Sequence, residues 1–292
     1  MPVPSPTDVL QRAATTVTRD GRAVLCHVVR TAGSTPGKPG WKLLVGRDGV
    51  AYGNLGGGAF EALVKTDAAA KLADGAAASE VKRYYFTETA VKGEPTGMVC
   101  GGLAEVFLEV LVAPPVLVVC GGGPVGQALA RGGDLAGFHC VVAEDRAEFR
   151  DAALFPAGTG TIAVDRDWSG DFLAPWARRE LHAAVVTRCW ETDVAALAAV
   201  VRQAPPGLAY LGLMGSRRKV ERVLAELELR GVAIRDYELR APIGLPIGGD
   251  TPGEIAISIL AEVLQQRHAA APGAATETAT ANPVEQPEVS HA

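Results

Sequence analysis

The chain has 292 residues, and at about 150 residues per domain this length predicts two compact domains. Apolar residues make up 48% and charged residues 21% of the sequence, a balance typical of a protein that buries a core. The formal net charge of −5 argues against a protein that holds nucleic acid by neutralising its phosphates. No stretch reaches the roughly 18 continuous apolar residues of a membrane span, and no secretory signal opens the sequence. We therefore expect a cytoplasmic protein with neither nucleic acid nor a membrane as its partner.

The cysteines argue against a disulfide framework or a zinc cluster. There are five, at Cys26, Cys100, Cys120, Cys140 and Cys189. Their number is odd, no two are spaced as CxxC, and three of them lie in apolar stretches. Both kinds of site need regular spacing, so we expect neither.

The first part of the sequence predicts a mixture of helices and strands. Thr7 or Asp8 is expected to cap a helix that runs to about Thr18. Asp48-Gly49 accepts the positive φ of a tight turn and predicts a hairpin. The remaining predicted elements are, in chain order, a strand over Arg22–Arg30, a polar loop over Thr31–Gly40, a helix over about Ala59–Leu72, and strands near Glu80–Phe86 and Leu103–Val112.

Ala113-Pro114-Pro115 is the predicted domain boundary, because proline interrupts both helix and strand. Beyond it, short apolar strands alternate with helices, which indicates a parallel sheet covered on both faces. The predicted fold class is α/β, with a Rossmann-like, doubly wound domain over residues 114–267 and an α+β domain over residues 1–113. Residues 268–292 have no apolar period and are predicted to form a disordered tail.

The sharpest local motif is the turn Gly121–Gly126, which matches GxGxxG, follows an apolar strand and opens a helix. In such a turn Gly121, Gly123 and Gly126 let backbone amides approach a phosphate at the positive end of the helix. Glu144 and Asp145 follow about twenty residues later, where an acid binds ribose hydroxyls. The sequence therefore predicts nucleotide binding, and the alternative is a tight turn without a ligand.

A second backbone anion site is predicted at Gly56, Gly57 and Gly58, just before a helix. Ser34 and Thr35 add hydroxyl groups on a loop that could cover such a site. A plain turn between strand and helix remains the alternative.

A third candidate turn contains Gly215, Ser216, Arg217 and Lys219, between a predicted strand and a helix. It falls at the carboxyl edge of the parallel sheet, where ligands bind in open α/β sheets. Adjacent cations at a helix start oppose the helix dipole unless an anion lies there, so the turn is a candidate anion site. The alternative is a solvated outer face.

No catalytic residue is predicted. The sequence contains no HExxH, no GxSxG and no readable Ser-His-Asp arrangement, and no YxxxK pair follows the Gly121–Gly126 turn. Cys100 precedes Gly101-Gly102 in a predicted turn, so it is a candidate sulfur ligand, and a small buried filler is the alternative.

Taken in order, these segments resemble the XdhC/CoxI family, the accessory proteins of molybdenum-containing hydroxylases such as xanthine dehydrogenase. The resemblance rests on segments that are individually ordinary and specific in this order. They are Gly33–Pro36, Gly56–Glu61, Met98–Gly102, Gly121–Gly126, Glu144–Arg146, Gly212–Lys219, Pro242–Gly248 and Thr251–Ala256.

The resemblance implies an N-terminal XdhC/CoxI-type domain, a C-terminal Rossmann domain, and a chaperone for the molybdenum cofactor. Such a protein protects the cofactor during sulfuration and passes it to an apo-hydroxylase. A cysteine desulfurase would be the sulfur-donating partner, and the protein would be a homodimer. Glu61 joins the candidate cofactor-binding residues on this ground, and Cys100 becomes a candidate molybdenum ligand.

The resemblance does not fix the form of the cofactor, which is molybdopterin or its cytosine dinucleotide. An NAD(P) or a flavin at the Gly121–Gly126 turn is a further expectation. The alternative function is an NAD(P)-dependent oxidoreductase that uses this turn and Glu144, although no acid/base pair is readable. A third interpretation is a scaffold that only recruits the hydroxylase.

Overall fold

The computed structural model describes residues 4–75, 78–86, 94–95, 101–204, 208–234 and 237–269, with the backbone alone at 94–95. Cys100 and the predicted tail beyond residue 269 lie outside these ranges. Within them the chain forms two six-stranded sheets, one built before Pro114 and one after it. The limits 1–113 and 114–267 stay a prediction. No helix in the described ranges is both long and apolar enough to cross a membrane.

The first sheet is mixed and has the order β3-β2-β1-β6-β4-β5. It is packed by two helices, and the elements are α1 (Pro6–Asp20), β1 (Arg22–Ala32), β2 (Lys42–Gly46), β3 (Ala51–Gly53), α2 (Gly58–Ala73), β4 (Glu80–Tyr85), β5 (Glu94–Pro95) and β6 (Leu103–Val112). The hairpin around Asp48-Gly49 is confirmed, with Val45 paired to Ala51. From α2, Phe60 is fully buried against Tyr84 and Phe86, whose rings meet it edge to face.

The start of α1 differs from the sequence expectation. Ser5, rather than Thr7 or Asp8, caps the helix: its hydroxyl accepts a hydrogen bond from the Asp8 amide. The Asp8 carboxylate accepts one from the Ser5 amide in return. This reciprocal pair satisfies two amides at once, and it leaves Pro6 at a first-turn position where no amide hydrogen is needed.

The second sheet is parallel and has the order β12-β11-β10-β7-β8-β9. Its strands and helices are β7 (Val116–Cys120), α3 (Pro124–Leu135), β8 (His139–Glu144), β9 (Gly160–Ala163), β10 (Leu181–Val185), α4 (Trp190–Gln203), β11 (Tyr210–Leu213), α5 (Arg217–Leu229), β12 (Leu239–Arg240) and α6 (Pro252–Ala269). Read outward from β7, this is the Rossmann strand order, so the predicted fold class is confirmed. Helix α6 includes His268 and Ala269, two residues that the sequence assigned to the tail.

Both faces of the parallel sheet are buried. Val116, Val118 and Cys120 of β7 face one apolar cluster, which α4 and α5 complete. Leu117 and Val119 point the other way, into a cluster formed with α3 and α6. The continuous apolar run of β7 follows from this double coverage.

The two halves meet at the beginning of β1. There Asp20 is almost fully buried and accepts hydrogen bonds from its neighbour Arg19 and, across the junction, from Arg178 at 3.0 Å. Gly21 follows with a φ of +77°, and a Cβ atom at this position would overlap the Arg178 carbonyl. The hydrogen bond from Arg19 holds the pKa of Asp20 below its ordinary value, against the cost of burial and with help from the charge of Arg178.

Replacing Asp20 by Asn should lower the free energy of unfolding by about 2 kcal/mol, because the hydrogen bonds from Arg19 and Arg178 lose their charged acceptor. Folding lowers this pKa, so the ionised Asp20 stabilises the protein above about pH 4, and that contribution is lost as the pH falls through the folded-state value. Urea denaturation at pH 7 and in steps toward pH 3 measures both effects, with the exposed Asp167→Asn as control. Equal stability of the Asp20 and Asp167 variants at pH 7 would contradict the assignment.

Candidate functional site

Three motifs of the first half come together through their backbones. Ser34 pairs with Gly101 in an isolated bridge, and a Cβ atom on Gly102 would overlap the Ser34 carbonyl. On the other side of the same loop, a Cβ atom on Gly56 would lie 2.6 Å from the Pro36 carbonyl. Glycine is therefore required at Gly56 and Gly102 for these segments to touch. The structure brings the loop after β1, the turn before α2 and the segment before β6 to one place.

The glycine turn before α2 already binds an anion, and that anion belongs to the chain itself. Gly56, Gly57 and Gly58 all have positive φ angles, of 113°, 73° and 63°. The Glu61 carboxylate accepts hydrogen bonds from the amides of Leu55 at 3.1 Å and Gly57 at 3.3 Å. The turn is thus an amide nest, which we define as the amides of Leu55 and Gly57 with the Glu61 carboxylate between them.

Glu61 is held in the nest by charge as well. Lys65, one helical turn later, lies 2.8 Å from the second carboxylate oxygen of Glu61. Burial opposes ionisation of Glu61, but the hydrogen bonds from Lys65 and from the two amides outweigh it and hold its pKa below the ordinary value. The side chain of Glu61 keeps 15% of its surface exposed and that of Lys65 43%, so water reaches this ion pair.

Two predicted site residues lie on the loop beside the nest. Ser34 is exposed, and Thr35 is half-buried with its hydroxyl donating to the Gly37 carbonyl at 2.9 Å. A Cβ atom on Gly37 would overlap the Leu55 carbonyl, so this loop rests directly on the start of the nest. Cys100 lies outside the described residues, one position before Gly101 in the sequence.

The GxGxxG turn sits at the carboxyl edge of the parallel sheet, between β7 and β10, where the strand order reverses. Gly121 has a φ of +122°, and a Cβ atom on it would lie 2.8 Å from the Val186 carbonyl. A Cβ atom on Gly126 would overlap the Gly121 carbonyl, whereas Gly123 has open space around it and an ordinary φ of −66°. Two of the three motif glycines are thus needed for packing, and Gly123 leaves room at the positive end of α3.

The acid that would bind a ribose is engaged within the protein. Glu144 is 1% exposed and accepts a hydrogen bond from the Gly122 amide at 2.8 Å. Arg146 binds both carboxylate oxygens of Glu144, at 2.9 and 3.0 Å, and its guanidinium lies 4.0 Å from the centre of the Phe149 ring. A ribose could reach this carboxylate only after Arg146 moves.

Asp145, the other predicted acid, faces a second arginine. Arg188, which follows β10, donates to both Asp145 oxygens at 2.6 and 2.7 Å. This hydrogen bonding holds the pKa of Asp145 well below its ordinary range. Both acids at the end of β8 are thus paired with arginines of the same chain.

In the third predicted turn, Gly215–Lys219, some polar residues have partners within the chain and others are exposed. Ser216 caps α5 by accepting from the Lys219 amide, and the Lys219 ammonium lies 2.5 Å from the fully buried Asp193 carboxylate. Burial raises the pKa of Asp193, against the lowering effect of Lys219 and of the Thr187 hydroxyl. Arg217, next to Gly215 and Ser216, is exposed. Lys219 thus meets an anion of its own chain, and Arg217 stays available at the helix start.

The loop before α6 repeats the pattern of the nest. The Glu254 carboxylate accepts hydrogen bonds from the amides of Asp250 at 3.1 Å and Thr251 at 3.0 Å, and Thr251 caps the helix. Glu254 and Thr251 thus satisfy amides at the start of α6 from within the chain.

The nest and the GxGxxG turn are separate sites. The nest lies beyond the far end of β1, an 11-residue strand of about 35 Å that starts at the junction of the halves. The GxGxxG turn follows the far end of β7, a five-residue strand of about 17 Å. Within the described ranges no hydrogen bond or ion pair joins the two places.

Two family models match the sequence: the XdhC Rossmann domain over residues 117–263, and the XdhC and CoxI family over residues 17–85. The first covers half of the chain. The chain belongs to the XdhC/CoxI family.

Two curated relatives and one solved structure resemble the chain. An uncharacterized protein, YqeB, of Escherichia coli (strain K12) is 34% identical over 251 residues, which are 85% of this chain and 44% of that protein. A probable xanthine dehydrogenase subunit of Bacillus subtilis (strain 168) is 28% identical over 164 residues, 56% of this chain and 46% of its own. The match thus spans less than half the length of each relative. A structure described as a xanthine dehydrogenase from Bacillus halodurans has 20% identity and a TM-score of 0.45, and covers 94% of this chain and 98% of that one.

Sequence reasoning found the glycines and acids of this XdhC/CoxI protein but missed the groups that engage the acids. Arg146 was part of the motif Glu144–Arg146 without a role of its own, and Arg188 and Asp193 had none. A weak signal was present, because Arg146 follows two acids directly and pairs with the first of them. Arg188 is 43 residues from Asp145 in the sequence, so no local pattern could have paired them.

Within the GxGxxG turn we expect two glycine variants to behave differently. Gly126→Ala should lower the free energy of unfolding by about 2 kcal/mol, because the new methyl group overlaps the Gly121 carbonyl. The matched control Gly123→Ala should change it by less than about 0.5 kcal/mol, since its Cβ meets nothing and its φ is ordinary. Urea denaturation of both variants measures this difference, and equal losses would show that the turn is packed differently.

Proposed function

We propose that this XdhC/CoxI protein binds the molybdenum cofactor, protects it during sulfuration and delivers it to an apo-hydroxylase of the xanthine dehydrogenase type. The observation that supports this most is the convergence of three glycine motifs around an amide nest that already holds a carboxylate. The B. subtilis relative, which is named as a probable xanthine dehydrogenase subunit, supports a partner of that type. In the proposal the protein acts as an accessory chaperone without catalytic residues.

The residues around the nest fit the chemistry of a phosphorylated pterin. The cofactor's phosphate would replace the Glu61 carboxylate on the amides of Leu55 and Gly57, since both groups are anions that accept from backbone amides. The hydroxyls of Ser34 and Thr35, on the loop that rests on the nest, would bind the polar edge of the pterin. When bound, the cofactor supplies the molybdenum centre on which the hydroxylase depends.

A Glu61 carboxylate that a phosphate can replace is suited to a protein that transfers its cofactor to another protein. In the cofactor-free protein the Glu61 carboxylate keeps the amides of Leu55 and Gly57 hydrogen-bonded and so fixes the shape of the nest. When the cofactor leaves, Glu61 returns and replaces the interactions that are lost, so release does not leave orphaned donors. Lys65 stays beside the nest in both states in this proposal and would neutralise part of the phosphate charge.

The finer parts of the proposal concern metal, partners and assembly. Cys100 is the proposed molybdenum ligand, by its place directly before Gly101 in the sequence. A cysteine desulfurase would donate the sulfur, and the acting species would be a homodimer. The bound form would be molybdopterin or its cytosine dinucleotide. In the second case the nucleotide could not use Glu144 of the same chain while Arg146 covers it.

The alternative of an NAD(P)-dependent oxidoreductase keeps one favourable observation, the Rossmann strand order with its GxGxxG turn. Against it, Glu144 is buried beneath Arg146 and Asp145 is paired with Arg188, so neither acid is open to a ribose. A scaffold without any ligand is the third possibility. Both alternatives are outcomes of the experiment that follows.

The protein should be purified without oxygen from a host that makes molybdenum cofactor, and molybdenum and pterin quantified per chain. We expect near-stoichiometric amounts of both. Glu61→Gln should retain the cofactor about fivefold longer during dialysis, because a neutral amide competes less well than a carboxylate for the nest. The matched control Glu221→Gln, on the exposed face of α5, should behave as the wild type.

Absence of both molybdenum and pterin, together with failure of added cofactor to bind, would contradict the proposed function. Turnover of a reduced nicotinamide would then favour the oxidoreductase, and survival of hydroxylase maturation without any ligand would favour the scaffold. Stoichiometric cofactor with equal retention by the Glu61 and Glu221 variants would place the phosphate away from the nest.

A further inference from the structure

A cleft of about 450 Å³ lies where the two halves meet, at the opposite end of β1 and of β7 from the sites described above. Four arginines line it, and we call it the arginine cleft. Arg22 and Arg47 come from the first half, at the start of β1 and in the β2–β3 hairpin. Arg178 and Arg179 come from the segment before β10.

Three of these arginines lack a carboxylate partner within the described ranges. Arg22 donates to the Gly75 carbonyl at 2.5 Å, Arg47 to the Arg178 carbonyl at 3.3 Å, and Arg179 to the Pro114 carbonyl at 2.5 Å. A neutral carbonyl satisfies one N–H group of a guanidinium but does not balance its charge. Three positive charges without a carboxylate partner therefore share one concave surface, and the Arg179 guanidinium also lies 5.6 Å from the centre of the Trp176 ring.

Two acids at the cleft, Asp20 and Glu180, are already paired. Asp20 binds the fourth arginine, Arg178, and also Arg19. Glu180, on the rim, accepts from Arg267 at 2.9 Å and from His182 at 3.1 Å. Neither carboxylate is free to neutralise Arg22, Arg47 or Arg179, so the cleft keeps its positive charge.

Two buried donors inside this cluster have no acceptor. The Nε atoms of Arg22 and Arg179 are both shielded from solvent and hydrogen-bond to nothing in the described part of the chain. Buried donors without hydrogen-bond partners destabilise a protein, and so do charges of the same sign that lie close together. A bound anion would compensate both. Burial also lowers the pKa of Arg179, which is the direction expected for a cation that has lost water without gaining a counter-charge.

We propose that the arginine cleft binds a small molecule that carries two or more phosphate charges and bridges the two halves of the protein. Guanidinium groups present paired N–H donors that match phosphate oxygens, and a multiply charged anion could meet Arg22 and Arg47 on one side and Arg179 on the other. The volume is in the range of small-molecule pockets, so a nucleotide fits as well as free pyrophosphate. This site is separate from the nest and does not depend on the proposed function.

The test is calorimetric titration of the full chain with inorganic pyrophosphate, inorganic phosphate and CDP. We expect pyrophosphate to bind more tightly than phosphate, and Arg47→Gln to weaken pyrophosphate binding at least about tenfold. Arg47 is exposed on the hairpin, so this variant should fold. Arg22→Gln provides a second variant in which the pyrophosphate affinity can be measured. The comparison of CDP with pyrophosphate tells whether the natural ligand carries a nucleoside.

Two control variants locate the binding. Arg166→Gln removes an exposed arginine in a loop away from the cleft and should leave the affinity unchanged. Arg217→Gln tests the helix start at the carboxyl edge of the parallel sheet and should also leave it unchanged. A molybdenum content that is the same in the Arg47 variant as in the wild type would separate this site from the nest.

Three results would overturn the proposal. They are no heat of binding at millimolar pyrophosphate, equal weakening by the Arg47 and Arg166 variants, and a loss with Arg217→Gln in place of Arg47→Gln. The second result would mean diffuse attraction to surface charge, and the third would move the anion to the Rossmann edge.

Discussion

A backbone amide in a glycine turn needs a hydrogen-bond acceptor, and in several turns of this protein a glutamate of the same chain supplies it. Glu61 fills the turn before α2, Glu144 the GxGxxG turn, and Glu254 the loop before α6. Each acid thereby fixes the shape of a turn that glycine alone would leave loose. The amides of these ligand-like turns thus already have acceptors within the chain. An anion that binds at one of these turns has to displace a carboxylate.

The acids at the two candidate ligand turns differ in how easily they can be displaced. The Glu144 side chain keeps 2% of its surface exposed beneath a two-pronged Arg146, whereas that of Glu61 keeps 15% and is paired with a lysine that is 43% exposed. Removing Glu144 from its arginine would strand a buried charge, a far larger cost than moving a solvated ion pair. This difference explains why the proposal puts an exchangeable phosphate at the nest and not at the Rossmann turn.

The fold was predictable from the sequence because its signals are local. The apolar run of β7, the GxGxxG turn and the Asp48-Gly49 hairpin each specify their own conformation within a few residues. The Ser5 cap was missed because several capping residues stand side by side before α1. The arginine cleft was beyond reach for a different reason: Arg47 and Arg178 are 131 residues apart, and only the docking of the two halves brings them together.

The proposed exchange of the Glu61 carboxylate for a phosphate changes the hydrogen-bond acceptor of the Gly57 amide when the cofactor binds. Its nitrogen and proton chemical shifts, compared between cofactor-free and cofactor-loaded protein, report the acceptor of that hydrogen bond. We predict a clear change at Gly57 and an unchanged resonance at Gly122, whose acceptor Glu144 stays in place. A shift at Gly122 with Gly57 unaffected would contradict this exchange and put the cofactor at the Rossmann turn.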